Sequence, residues 1–106
     1  MHVSKVIGYQ QFSSTTITSA QRIATTALID QASGDRANAA WISIGGSTGA
    51  VRFRDDGTAP TGALGMRLVP GLLPYLYQGD LMRLQFILDA TTGNADVNLS
   101  YVQVSD

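Results

Sequence analysis

Chemistry in a chain of this kind has few places to start. The sequence holds one histidine, His2, and no cysteine, so a thiol nucleophile, thiolate metal ligands and disulfides are excluded. His2 lies next to a chain end, where a Ser-His-Asp triad or a His-ligated metal would rest on a frayed residue. Asp55 and Asp56 are the only adjacent carboxylates, yet neighbouring strand or turn residues point in different directions and no third acid is near in sequence. Asp55-Asp56-Gly57 could supply calcium ligands, but a calcium loop needs about six, and no spaced Asp series follows. The simpler reading is a turn closed by Asp side chains, with Gly57 at positive φ. Together these residues point away from an enzyme and away from any cofactor or metal.

Binding residues are better represented. Arg52 and Arg54 share one strand face and Arg83 could join them, a small basic stripe able to grip phosphate or carboxylate. The chain carries a net charge of −1 with seven basic and eight acidic residues, so direct nucleic-acid binding is disfavoured against ion pairing within the domain or across a subunit contact. Trp41, Tyr75 and Tyr77 form a second group, aromatic side chains that can make flat platforms for sugar rings or for a partner protein.

The elements that position these residues follow from composition and alternation. At 106 residues with 44% apolar and 14% charged side chains, the chain fits one domain, residues 1–106, around one core. Every acid is Asp, and ten Thr, nine Ser and eleven Gly accompany them, a composition that suits strands and tight corners better than exposed helices. No apolar run approaches the roughly 18 residues that span a bilayer, which predicts a protein made in the cytoplasm and not in a membrane.

Val3 to Phe12 reads as a strand with a bulge near Gly8. Over residues 20–31, Ala20, Ile23, Ala24, Ala27 and Leu28 follow a helical spacing with Ser19 as N-cap, whereas Thr25 and Thr26 favour extended chain; one short helix is open there. Ser33-Gly34-Asp35 is a turn. Ala40, Ile42 and Ile44 share one face of a strand and Trp41 and Ser43 the other, and the loop Gly45 to Gly49 leads to Val51 and Phe53, so the two strands read as a hairpin. A strand near Leu64 to Val69 meets the turn Pro70-Gly71, and Leu72 to Tyr77 returns antiparallel, with Pro74 placing it on an edge. Met82, Leu84, Phe86 and Leu88, alternating with Arg83, Gln85 and Asp89, then the turn Thr91 to Asn94, then Ala95, Val97, Leu99 and Tyr101 read as a last hairpin. This succession predicts an all-β, antiparallel β-sandwich, jelly-roll-like.

From Arg52 the chain runs Arg-Phe-Arg-Asp-Asp-Gly-Thr-Ala-Pro-Thr-Gly-Ala-Leu-Gly-Met-Arg-Leu, followed later by Gly79-Asp80-Leu81-x-x-Leu84-x-Phe86-Ile87 and by Val97-Asn98-Leu99-Ser100-Tyr101. This pattern resembles small proteins encoded among the virion genes of tailed bacteriophages. It covers the chain from Ala39 onward, with Asp55, Asp56, Gly57, Thr58, Pro60, Thr61 and Gly65 as the turn motif, and leaves residues 1–15 as an extended N-terminal arm. The resemblance implies a capsid decoration or cement protein at the capsid surface of the virion, made in the host bacterial cytoplasm. Its partner would be the major capsid protein, and it would be a homo-oligomer with a trimer favoured. Arg52, Arg54, Trp41, Tyr75 and Tyr77 are then candidates for the interface. The alternative is a tail-fibre or baseplate module that stacks Trp41, Tyr75 and Tyr77 on host surface glycan.

Overall fold

A computed structural model describes residues 2–46, 49–71, 74–89 and 93–105. Its eight strands are β1 (His2–Phe12), β2 (Gln21–Arg22), β3 (Ala39–Gly45), β4 (Val51–Arg54), β5 (Met66–Leu68), β6 (Tyr75–Tyr77), β7 (Gln85–Leu88) and β8 (Asp96–Ser105). They form two four-stranded sheets, ordered β1-β8-β3-β6 and β2-β7-β4-β5, and each pairing is antiparallel. The pairings are nested: β1 with β8, β2 with β7, β3 with β6 and β4 with β5. The chain is thus an all-β, antiparallel sandwich. Among the described residues, no helix is long and apolar enough to cross a membrane.

Period-two alternation supplies the core. Ala40 and Ile42 from β3, Val51 and Phe53 from β4, Phe86 from β7 and Val97, Leu99 and Tyr101 from β8 are buried in one cluster. An aromatic chain ties the sheets together: Phe12 to Phe86 at 6.0 Å, Phe86 to Phe53 at 6.1 Å and Phe53 edge-on to Tyr77 at 6.3 Å. Phe12 and Tyr77 belong to one sheet, Phe53 and Phe86 to the other. Removing such a side chain from water contributes about 1.5–3 kcal/mol.

Partners differ from the sequence reading in a consistent way. The three expected hairpins, β3 with β4, β5 with β6 and β7 with β8, do not form, because each pair is divided between the two sheets. Alternation states which face of a strand is buried and leaves its neighbour open; a chain that crosses to the facing sheet keeps both apolar faces inside just as a hairpin does. Two of these crossings brace each other. Gly49 N–H donates to the Asn94 carbonyl at 3.0 Å and Asp89 N–H to the Ala50 carbonyl at 2.9 Å. Ser47, Thr48, Leu72, Leu73, Thr91 and Thr92, which belong to the expected turns and the returning strand, lie outside the described residues.

The short helix open over 20–31 is replaced by the two-residue strand β2 and a single 3₁₀ turn at Thr25–Leu28. Two β-branched residues in succession, Thr25 and Thr26, and an extended Ala24 with no side-chain cap explain why helix does not propagate. Instead of an arm over 1–15, residues 2–12 pair with β8 throughout, with irregularities between Val3 and Lys5 and between Val6 and Gly8. The second of these is the bulge expected near Gly8.

Lys5 fastens the turn after residue 29 to this edge strand. Its ammonium lies 2.7 Å from Asp30 and 2.9 Å from Asp35 and donates to Ser33 Oγ at 2.7 Å. The Lys5 hydrogen bond, the Ala32 amide and Ser33 hold Asp30 down at about 2, against an ordinary 3.8; Asp35 is lowered by the same lysine first. Because the folded-state values are depressed, the stabilisation is complete above the unfolded carboxyl range and disappears as pH falls through about 2. Acid titration of stability should therefore show a falling limb below pH 3.8 that is flattened in Lys5→Met, measured by urea unfolding at stepped pH; an unchanged limb in that variant would remove Lys5 from the account.

Candidate functional site

The string from Arg52 to Leu68 is a turn-rich excursion from β4 into β5, and its charged residues are engaged by protein partners, Arg54 and Asp56 with each other and the others with residues beyond the string. Arg52 and Arg67 stand directly opposite in the β4–β5 register, a like-charge pair that alone would be unfavourable. Asp89, at the end of β7, resolves it. Its Oδ2 accepts from Arg52 Nε at 2.9 Å and from Arg67 Nε at 3.2 Å, and its side chain is 0% exposed. Arg52 also donates from Nη1 to the Gly65 carbonyl at 2.9 Å.

The remaining motif residues close the loop. Asp56 pairs with Arg54 and accepts from the Thr58 amide at 3.1 Å, an Asx-type turn completed by Gly57 at φ +87°. The Asp56 carbonyl accepts from Arg83. Thr61 Oγ1 accepts from the Leu64 amide at 3.0 Å, and Pro60 is buried. Gly65 adopts φ +137°, and a Cβ there would lie 3.0 Å from the Phe53 carbonyl oxygen, so the strand entry tolerates no side chain.

Asp55 and Asp56 do not share a site. Asp55 accepts from the Tyr77 hydroxyl at 2.7 Å, while Asp56 serves Arg54 and the turn. Burial first, and then this hydrogen bond, push the Tyr77 phenol well above its ordinary range, so it stays a neutral donor. A Cβ at Gly79 would run into the same hydroxyl. Asp80 caps the 3₁₀ turn Leu81–Arg83 by accepting from the Met82 amide at 3.0 Å, and Leu81, Leu84 and Phe86 are core residues. Gly79-Asp80-Leu81-x-x-Leu84-x-Phe86 is thus a structural pattern. Among the described residues, no group of three His or Asp side chains gathers as metal ligands.

The aromatic group is divided. Tyr75 and Tyr77 share a face, as expected, but it is the inward one: they oppose the buried Ile42 and Ala40. Tyr77 is buried and Tyr75, at the rim, remains exposed. Trp41 points the other way, onto the outer face of the β1-β8-β3-β6 sheet. Its companion is Tyr9, absent from the sequence-based candidates. Registers Tyr9↔Ser100 and Ser100↔Trp41 set the two rings on one row across three strands, about 10 Å apart at two strand spacings. Gln11↔Asn98 and Asn98↔Ser43 form the next row. The two rows, with Pro74, line an open groove of about 760 Å³. Tyr9 was hidden because the bulge before Gly8 shifts the strand's parity.

A second exposed surface lies on the other sheet, where Leu64 and Met66, at 61% and 66% exposure, border a smaller concavity with Arg54 and Asp56 at the β5 edge. Comparison of the chain with protein families, curated proteins and solved structures finds no match.

The two arginines of the motif should separate on mutation. Asp89→Asn, which leaves two opposed and partly solvated guanidinium groups without their shared carboxylate, is expected to cost about 1–3 kcal/mol. Arg52→Ala should also destabilise clearly, while Arg54→Ala leaves the unfolding midpoint close to wild type, because its pair with Asp56 is exposed. Urea unfolding decides; equal midpoints for Asp89→Asn and wild type would show that the buried Asp89 carboxylate does not anchor the sheet.

Proposed function

We propose that this chain is a jelly-roll protein of a tailed-bacteriophage virion, a capsid decoration or cement protein that binds the assembled major capsid lattice and stabilises it. The observation that carries the reading is the nested strand order, β1-β8-β3-β6 facing β2-β7-β4-β5. This is the order obtained by wrapping one long antiparallel hairpin into two sheets, an architecture used by viral capsid and lectin domains. Architecture alone does not assign a role. The resemblance of residues 52–68, 79–87 and 97–101 to virion-gene proteins supplies the rest, and the side chains that carry it are those that close the β4–β5 loop and fill the core.

Such a role needs no catalytic step and no cofactor. It needs a surface that recognises the assembled lattice, for which the exposed Leu64 and Met66 beside the β5 edge are the apolar centre. A subunit that binds the lattice and not free capsid protein stabilises the lattice by mass action. Repetition over many equivalent positions then multiplies a modest contact. A homo-oligomer, with three copies around a local threefold axis, would let each contact reinforce the next. Neither nucleic acid nor membrane is a partner in this reading.

Quantitative mass spectrometry of purified particles should find a copy number comparable to that of the major capsid protein; a handful per particle, or none, overturns the proposal. In a paired measurement, Leu64→Asp with Met66→Asp should abolish retention on particles lacking the protein while leaving the unfolding midpoint unchanged.

A further inference from the structure

We infer that the groove on the outer face of the β1-β8-β3-β6 sheet is a binding site for an uncharged oligosaccharide. Three features of the groove select this ligand class. Its lining is mostly apolar, with the rings of Tyr9 and Trp41 beside Pro74 and Leu99, edged by amide and hydroxyl side chains and holding no charged one, so neither an anion nor a cation finds a counter-charge there. Its two aromatic residues are offered to solvent, Tyr9 at 75% and Trp41 at 36% exposure, and their ring faces are the surface on which the C–H face of a sugar packs. Beside them runs a row of neutral hydrogen-bonding groups, Gln11, Asn98 and Ser43, each able to donate and accept as sugar hydroxyls do.

Contrast within the same strand sharpens the point. Gln10 faces inward, where its Oε1 accepts from Tyr101 Oη at 2.7 Å and from the Ala24 amide at 3.2 Å. Gln11 is exposed and Asn98 half-buried, and among the described residues neither side-chain amide is taken up by the protein. The aromatic pair spans two strand spacings, about 10 Å, which accommodates successive rings of one chain better than a single monosaccharide. The rows are held by the continuous β1–β8–β3 registers, so the site is preformed and little ordering is required on binding.

Trp41 is the only tryptophan of the chain, so its fluorescence reports on this groove alone. The 106-residue chain is titrated with chitotetraose, maltotetraose, cellotetraose and a neutral bacterial O-antigen polysaccharide, with sialyllactose as the charged control. At least one neutral member should shift Trp41 emission saturably at millimolar concentration or below, and the control should not. Tyr9→Ala and Asn98→Ala should each weaken that binding about tenfold, the effect of losing one good contact, without moving the unfolding midpoint. No response to any neutral member, or a response that survives Tyr9→Ala combined with Asn98→Ala, overturns the proposal. Sedimentation of Trp41→Ala supplies the remaining arm: if the wild type is oligomeric and this variant is not, the face is a contact between copies and the sugar assignment falls. Since the groove and the Leu64–Met66 surface lie on different sheets, failure of lattice binding and failure of sugar binding are read separately.

Discussion

Two arginines placed face to face on neighbouring strands ought to push those strands apart, and the arrangement of the second sheet follows from how that repulsion is met. Asp89 sits under both guanidinium groups, fully out of water, and so joins the end of β7 to β4 and β5 in one electrostatic knot. Arg52 extends it to the Gly65 carbonyl, fixing where the long β4–β5 excursion re-enters the sheet. Next to Asp89 the backbone crosses to the other sheet, stitched there to the β3–β4 crossing. Charge neutralisation, loop closure and the passage between sheets therefore meet within a few residues, and a change to any one is felt by the others.

How far the sequence could be read depended on the range of the interaction involved. Ala40 and Ile42, Val51 and Phe53, and the run Ala95, Val97, Leu99, Tyr101 were legible as inward faces because alternation is local to a strand. The Asp56–Gly57–Thr58 turn was legible for the same reason. Arg52 was not. It looked like an interface residue, and its partners Asp89 and Gly65 are 37 and 13 residues away. The hairpins failed on the same ground, since a strand's neighbour is a long-range choice that alternation does not encode. Tyr75 and Tyr77 were placed on a common face correctly, but nothing nearby in sequence says which side of the sheet that face is. Tyr9 escaped because one extra residue in a bulge reverses the pattern used to find it.

The sandwich also keeps its two exposed surfaces apart by layer. Charged side chains of the motif lie on the β2-β7-β4-β5 sheet, where they hold the loop and border the exposed Leu64 and Met66. Opposite, the β1-β8-β3-β6 sheet presents an uncharged row of rings and amides. Between them the Phe12–Phe86–Phe53–Tyr77 chain fixes the spacing of the layers, and in a close-packed interior such spacing is rigid. A load on one face would be borne by the core with little distortion of the other.

Pairing of β1 with β8, from His2 opposite Ser105 to Phe12 opposite Val97, has a bearing on how the chain is made. At a synthesis rate of about 5–20 residues per second, the ribosome needs on the order of 5–20 s to bring the second of these strands after the first. During that interval an eleven-residue strand has no native neighbour, while other nascent chains on the same message carry an identical one. Lys5 puts a charge in that unpaired strand, which disfavours the flat apolar edge that would let such strands zip together. The lysine that fastens a turn in the finished sheet thus also makes the waiting strand a poorer template.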